Sequence, residues 1–325
     1  MKAVVLVGGE GTRLRPLTLT RPKQMLPVGN RPMIERVLSW LAGHGVDEAV
    51  LSLGYRPDAF LQAYPDGSGA GVKLTYAVED APLDTAGAIR FAATTAGLDE
   101  TFVVVNGDVL TGLDITALVA FHRRSQAEAT IALTPVEDPS AFGVVPTDPD
   151  GRVIAFIEKP PKDEAPTNLI NAGTYVLEPS VLDSIATQGR VSIERETFPK
   201  LVAAGRLFAM ASESDWVDAG VPATYLAANL RYSGPPDSSA LADGARVDNS
   251  VIGSDVTIGA GAVVEGSVLM DGVIVEAGSE IRDSLIGEGV LIESGCRLSD
   301  LCVIGDGYQV VAGSQLAGQR LPTWA

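Results

Sequence analysis

Cysteine, histidine and positive charge are all scarce in this 325-residue chain. The two cysteines, Cys296 and Cys302, are too few for a disulfide framework, and a reducing, cytoplasmic compartment is expected. With His44 and His122 as the only histidines, a histidine-rich metal centre is excluded, so any metal is expected to be a hard cation on oxygen ligands. Lys and Arg total 24 against 41 Asp and Glu, a formal net charge of −17. That balance argues against a nucleic-acid or membrane-surface binder and means that any phosphate-binding charge must be local. No apolar run approaches the length that spans a bilayer, and the N-terminus enters a strand without a secretory-signal pattern. The length suffices for two domains with sizeable cores.

What is present is concentrated near the N-terminus. The apolar run Ala3 to Val7 reads as a buried strand. It leads into Gly8-Gly9-Glu10-Gly11-Thr12-Arg13-Leu14-Arg15-Pro16-Leu17-Thr18, with Pro22-Lys23 shortly beyond. Three glycines in four positions allow backbone N–H groups to converge, which suits phosphate oxygens. Arg13, Arg15 and Lys23 add positive charge. The same glycines also suit a tight strand-to-helix turn with solvated charges. The spacing is neither a P-loop, since no GK[ST] follows, nor the dinucleotide fingerprint, whose third glycine would fall at Leu14.

Downstream, strands and helices alternate. Met33, Ile34, Val37, Leu38 and Leu41 mark an amphipathic helix. Strands are expected at 49–53, 72–78, 102–105, 130–135, 143–146, 153–157, 169–177 and 207–211, and helices at 58–64, 85–96, 193–203 and 222–232. This alternation predicts a Rossmann-like, mostly parallel α/β sheet with helices on both faces, its ligands beyond the strand carboxyl ends. The glycine loop and Asp108 both fall at such ends. Ser233-Gly234-Pro235-Pro236-Asp237 reads as a boundary. Past it, segments starting at Ser250, Ser267, Ser284 and Leu301 repeat every seventeen residues, with an aliphatic residue at about every sixth position. This hexad period predicts a parallel β-helix. The expected domains are 1–233, a linker 234–245, and the β-helix 246–325.

The stretch GGEGTRLRPLT followed by RPKQMLPVGNRPMI resembles the signature of the sugar-phosphate nucleotidyltransferases, also called nucleotide-sugar pyrophosphorylases. The C-terminal repeat resembles the left-handed hexapeptide β-helix that follows the catalytic domain in several of them. The resemblance implies attack of a sugar-1-phosphate oxygen on the α-phosphorus of a nucleoside triphosphate, with release of pyrophosphate. It implies nucleotide binding by Val7, Gly8, Gly9, Gly11, Thr12, Arg13, Lys23, Glu79, Asp84, Thr85 and Asp108. Arg13 would take the β,γ-phosphates and Lys23 the α-phosphate. Sugar-1-phosphate binding falls on Gly143, Glu158, Lys159 and Asn171, and a shared Mg²⁺ on Asp108 and Asp218. Arg13, Lys23, Asp108 and Asp218 are the implied catalytic set. Trp216 is expected to shape the site by packing.

Substrate choice is divided. Asn106-Gly107-Asp108 and NRPMI resemble the mannose-1-phosphate guanylyltransferases of the family, which implies GTP and mannose-1-phosphate. Gln24 instead resembles the glucose-1-phosphate thymidylyltransferases, and a uridylyl enzyme is the related alternative. Asp84 stands where the family usually has glycine; it would either accept hydrogen bonds from guanine or cap the following helix. A sensing subunit without turnover is a third reading, against which the retained Arg13, Lys23, Asp108 and Asp218 argue. An acyltransferase in the β-helix lacks the histidine base such enzymes use, because the last histidine is His122. The β-helix is expected to build a homo-oligomer.

Overall fold

The computed structural model describes residues 1–232 and 242–323. The 233–237 boundary, and most of the expected linker, lie outside the described residues. The chain forms two compact units: Met1–Gly8 with Glu35–Trp216, and Gly9–Ile34 with Val217–Ala325.

The first unit is built on seven strands, β1 (Lys2–Leu6), β2 (Glu48–Leu53), β3 (Val72–Val78), β4 (Phe102–Asn106), β5 (Ala129–Pro135), β6 (Leu169–Leu177) and β7 (Leu207–Ala211). Their order across the sheet is β7-β5-β6-β4-β1-β2-β3, with short antiparallel additions at Ser68–Gly69, Gly143–Val144 and Ile157–Glu158. Of the seven, only β6 runs antiparallel to its neighbours, so the sheet is mostly parallel as expected. Ala3, Val4 and Val5 are buried on successive residues, the mark of a strand covered on both faces. Helix α1 spans Met33–Gly43 and α2 Pro57–Ala63. Helix α3 (Asp84–Thr95) packs on β1, β2 and β3. The expected strand over 153–157 forms only at its end; Val153 makes an isolated bridge to Thr147.

Helix α4 (Ile115–Ser125) adds to the expected elements. Asp114 caps it by accepting from Ala117 N at 3.0 Å, and His122, Arg123 and Arg124 fill its last turn, where positive charge suits the helix dipole. It packs on β5, β6 and β7. The expected helix at 193–203 begins instead as a π-turn over Ile193–Thr197 and continues as α5 (Phe198–Ala203).

In the second unit, α6 (Pro222–Arg231) precedes the β-helix. Three parallel ladders stack strands at 246, 263, 280, 297 and 315, at 251, 268, 285, 303 and 320, and at 257, 274, 291 and 309. Ile252, Leu269, Ile286 and Ile304 stack inward on one ladder, as do Ile258, Val275, Ile292 and Val310 on another. The aliphatic repeat therefore reads correctly, with one adjustment. Leu285 pairs with Val303 whereas Val303 pairs with Arg320, so the coil that starts at Ser284 is one residue longer and the last repeat begins at Cys302 rather than Leu301. Asp300 and Leu301 absorb the extra residue with φ of 55° and 64°. Buried serines line the interior: Ser267 N donates to Ser250 Oγ at 3.1 Å and Ser284 N to Ser267 Oγ at 3.0 Å. Cys302 takes the next place on that ladder, its thiol donating to Ser299 O at 3.2 Å, which accounts for a buried, unpaired cysteine.

His122 bears on stability. It is buried, with Nδ1 at 2.8 Å from Thr130 Oγ1 and Nε2 at 3.0 Å from Glu178 Oε1. Burial lowers its pKa, and the Glu178 hydrogen bond and charge only partly oppose this. The unfolded chain therefore binds the proton first as pH falls, and folding stability must drop from about pH 7.5 downward through the free-histidine value. We predict that the melting temperature falls less steeply between about pH 7.5 and 5.5 in His122→Gln than in the parent chain; equal slopes by calorimetry would refute the assignment.

Candidate active site

The parallel register gathers one group of predicted residues. Leu6 stands opposite Ser52 and Asn106, and Leu53 opposite Val78. Each strand thus ends at the same edge, where Val7-Gly8, Glu79 and Gly107-Asp108 follow. Val7 N donates to Ser52 O at 3.1 Å, Gly107 N to Leu6 O at 2.9 Å and Glu79 N to Leu53 O at 2.8 Å. These bonds carry the ladder one residue past the strands and fix the exits. Close packing leaves no room for side chains at Gly107, where a Cβ would lie 2.5 Å from Val7 Cγ1.

Because β6 runs the opposite way, its early residues arrive at this edge. Thr174 pairs with Val105, and the strand bulges between Asn171 and Tyr175. Asn171 holds the bulge: its Oδ1 accepts from Gly173 N and its Nδ2 donates to Tyr175 Oη, both at 2.9 Å. Burial, reinforced by the charges of Glu194 and Glu158, pushes the Tyr175 pKa far up, so its hydroxyl stays protonated. Gly143 pairs with Glu158, and Val144 with Ile170, which brings Gly143, Glu158, Lys159 and Asn171 into one corner of the first unit. A Cβ on Gly143 would meet Phe156 Cζ at 2.5 Å. Lys159 Nζ lies 3.7 Å from Glu158 Oε1. Trp216 donates from Nε1 to Ala172 O at 2.9 Å and meets Phe142 edge-on at 5.6 Å, so it does pack beside this corner.

The loop before α3 is tied down by its own acids. Glu79 Oε1 accepts from Ser52 Oγ at 2.9 Å and Oε2 from Leu83 N at 3.1 Å. Both carboxylate oxygens of Glu79 thus hold the 79–83 loop in shape. Thr85 Oγ1 donates to Glu194 Oε2 and accepts from Ile193 N, each at 2.8 Å. Asp84 occupies the left-handed region, with φ 62°, and its Oδ1 accepts from Thr85 N at 2.8 Å. That bond lies in the first turn of α3, of which Asp84 is the first residue. Glu194, which sequence reading missed, links Thr85 to Ser192, whose Oγ donates to it at 2.8 Å. The available signal was a capping pattern: Ser192 Oγ accepts from Arg195 N, and Glu196 Oε1 accepts from Ser192 N.

The second unit holds the other group. Gly11 takes φ +63°, and a Cβ there would lie 3.0 Å from both Lys23 Cβ and Thr18 Cγ2. Thr18 Oγ1 donates to Gly11 O at 2.9 Å. Gly9 and Thr12 lie on the same loop, which turns through two 3₁₀ segments, Thr12–Leu14 and Lys23–Met25, over the buried Leu14, Leu17 and Leu26. Arg15 pairs with Glu10 at 3.1 Å. A Cβ on Gly220 would fall 2.7 Å from Asp218 Oδ1 and 2.8 Å from Arg13 Nη2. The residues Asp218-Ala219-Gly220 and Arg13 therefore meet over a glycine, placing a carboxylate beside a guanidinium. Gln24 is 2% exposed, so it faces the interior.

Among the described residues no three His, Cys, Asp or Glu side chains cluster as metal ligands. A divalent ion held by this chain would use one or two carboxylates and take its remaining oxygens from phosphate and water, the usual habit of Mg²⁺.

An open, mostly parallel sheet with Gly8, Glu79 and Asp108 following its strand carboxyl ends, together with a parallel β-helix, defines an α/β protein of the doubly wound class with a C-terminal solenoid. Residues 2–234 match the family described as nucleotidyl transferase, and the chain belongs to that family. Residues 236–316 match the EIF2B subunit epsilon LbH domain, so the β-helix is of the left-handed class. The chain is 45% identical over 228 residues to the mannose-1-phosphate guanylyltransferase of Mycobacterium tuberculosis, covering 69% of this chain and 62% of that protein. It is 40% identical over 268 residues to the mannose-1-phosphate guanyltransferase of Schizosaccharomyces pombe, covering 80% of this chain and 73% of that one. The chain thus spans less than two thirds of the Mycobacterium relative's length. A crystal structure titled a putative glucose-1-phosphate thymidylyltransferase from Bacillus anthracis, in complex with a sucrose, matches with a TM-score of 0.65 and 25% identity, over 73% of this chain and 97% of that one. The family generally uses a divalent metal.

Gly173 offers a direct check on the corner around Asn171. Its φ is +72°, and a Cβ would lie 2.6 Å from Asn106 Nδ2. Gly173→Ala should lower stability by about 1–3 kcal/mol through backbone strain and this clash; an unchanged denaturation midpoint would contradict the bulge geometry.

Proposed function

We propose that the chain joins a sugar-1-phosphate to a nucleoside triphosphate, with GTP and mannose-1-phosphate giving GDP-mannose and pyrophosphate. The observation that carries this reading is the meeting of Arg13 with Asp218 over Gly220 in a chain whose curated relatives are named mannose-1-phosphate guanylyltransferases. In the reaction, a phosphate oxygen of the sugar-1-phosphate forms a bond to the α-phosphorus. The bond from that phosphorus to the bridging oxygen breaks, and pyrophosphate carries the electron pair away. No covalent enzyme intermediate is needed, and positioning with charge neutralisation supplies the catalysis.

In this reading Arg13 binds the β,γ-phosphates and the leaving pyrophosphate, and Lys23 binds the α-phosphate. Backbone N–H groups of the Gly8-Gly9-Glu10-Gly11-Thr12 stretch receive phosphate oxygens. Lys159 takes the sugar phosphate, while Glu158, Asn171 and the Gly143 backbone take sugar hydroxyls. Asn171 suits this role despite its internal bonds, because its second amide hydrogen and second lone pair remain for a ligand. Asp108 and Asp218 are hard oxygen donors that fit Mg²⁺, which when bound screens the triphosphate charge. The 79–85 segment shapes the base pocket, with Glu79 and Thr85 bracing it from within. Residues 1–233 would act as the catalytic domain and 246–325 as a β-helix domain through which copies associate. A cytoplasmic location is supported by the two free, buried thiols.

The test is pyrophosphate release with GTP, UTP, dTTP, ATP and CTP, each against mannose-1-phosphate and glucose-1-phosphate. GTP with mannose-1-phosphate should have the highest kcat/KM; a higher value for dTTP or UTP with glucose-1-phosphate would move the assignment to that branch. Tight nucleotide-sugar binding without turnover would identify a sensor. Arg13→Ala should cost about 10²–10³ in kcat. Gly220→Ala should also lower kcat, because its methyl displaces Arg13 and Asp218 together, and chelation should abolish turnover that added Mg²⁺ restores.

A further inference from the structure

Within the second unit, the last coils of the β-helix touch the glycine loop at three points. Arg21 donates to Glu288 Oε2 and, at 2.9 Å, to Asp306 Oδ2. Asp306 also accepts from Thr20 Oγ1, and its other oxygen accepts from Glu288 N at 2.9 Å. Pro16 rests on Gly305, where a Cβ would lie 2.9 Å from Pro16 Cβ and 3.3 Å from Pro322 Cδ. Arg320 Nη1 donates to the backbone oxygen of Arg13 at 3.0 Å.

The far end of the loop is held as well. Tyr225 Oη donates to Pro27 O, Gly29 N donates to Asn229 Oδ1 at 3.0 Å, and Asn30 Nδ2 donates to Ile252 O at 2.7 Å. The backbone bonds inside the segment, Leu14 N to Gly11 O, Arg15 N to Thr12 O, Leu17 N to Leu14 O and Leu19 N to Pro16 O, each close one short turn and do not tie the turns to anything beyond the loop. Its side chains act as fixed charges only if something outside them fixes the backbone. An exposed ion pair does this poorly. The Arg21 and Asp306 side chains, however, are 26% and 13% exposed, and three groups share the one Asp306 carboxylate.

We propose that Arg21 is a positioning residue: seated on Glu288 and Asp306, it lets the last coils of the β-helix hold the 12–20 loop in the shape that presents Arg13 and Lys23 to the triphosphate. The β-helix is then a working part of the nucleotide site in its own chain, in addition to any role in association. This inference rests on the proposed function, in which that loop binds the triphosphate.

The test uses the full chain and compares the parent with Arg13→Ala, Arg21→Gln, Arg21→Lys, Gly305→Ala and Glu288→Gln. Amide hydrogen exchange is read between Thr12 and Leu19 without substrate, and kinetics are read with each substrate varied in turn. In Arg21→Gln and Gly305→Ala, loop exchange should quicken about tenfold. The kcat/KM for the triphosphate should fall about 10–100-fold, the scale of a small misplacement, while KM for the sugar-1-phosphate stays within about twofold. Arg21→Lys should restore most of the loss. If Arg21→Gln fails to fold, Gly305→Ala and Glu288→Gln carry the test. Loop exchange and kcat/KM within about twofold of the parent, while Arg13→Ala collapses, would overturn the inference alone. Equal loss toward both substrates would also overturn it, as general destabilisation. If Arg13→Ala keeps full activity, the functional reading fails, and the exchange data still decide whether the β-helix stiffens the loop.

Discussion

Parallel pairing of β1 with β2 and β4, with Leu6 opposite both Ser52 and Asn106, is the constraint on which the rest of the first unit depends. Parallel strands that share a register end at one edge, so Gly8, Glu79 and Asp108 are neighbours of that edge whatever their distance along the chain. Reversal of a single strand, β6, then adds Asn171 and Gly173 from the opposite direction. The corner formed by Gly143, Glu158 and Lys159 is reached by two short antiparallel additions beyond β6. Main-chain hydrogen bonds, more than any side-chain pair, decide which residues share this site.

The second unit solves a different problem. A chain with net charge −17 must keep positive groups in place if it is to receive a triphosphate, and flexible cations would be drawn to its many carboxylates. Two of the loop's cations are placed by such carboxylates: Arg15 on Glu10, and Arg21 on Glu288 and Asp306. Arg13 instead stands beside Asp218 over a glycine that leaves space for both. The β-helix supplies rigid ground for this arrangement because its coils are cross-linked by three continuous ladders and an interior of stacked aliphatic residues. One extra residue in the coil that starts at Ser284, taken up at Asp300-Leu301, offsets Cys302 to Leu316 by one position against the seventeen-residue repeat.

Several residues expected to meet ligand also turn out to hold the protein together. Glu79 closes the 79–83 loop, Thr85 binds the π-turn through Glu194, and Asn171 braces a bulge. Such double duty follows from packing a polar site against a buried sheet, where every donor and acceptor near the edge must be satisfied. Ser52 with Glu79 and Thr85 with Glu194 are separated along the chain by whole elements, so no short window of sequence records those two pairs. Helix α4 differs, because its signal is local: Asp114 stands at the cap, Ile115, Leu118, Val119 and His122 recur at helical spacing, and basic residues fill the last turn.

What the amino-acid order determined unaided were the periodic features: apolar runs that become buried parallel strands, the hexad repeat that becomes a three-sided solenoid, and the glycine loop with its basic residues. Each rests on local sterics and burial, which a short window of residues records. The tertiary structure alone decided that Gly11 and Asp218 belong to the same compact unit as the β-helix, that Gly220 joins Asp218 to Arg13, and that Arg21 is committed to Glu288 and Asp306. Those contacts join residues two to three hundred positions apart, and only the folded path of the backbone brings opposite charges from such distances side by side.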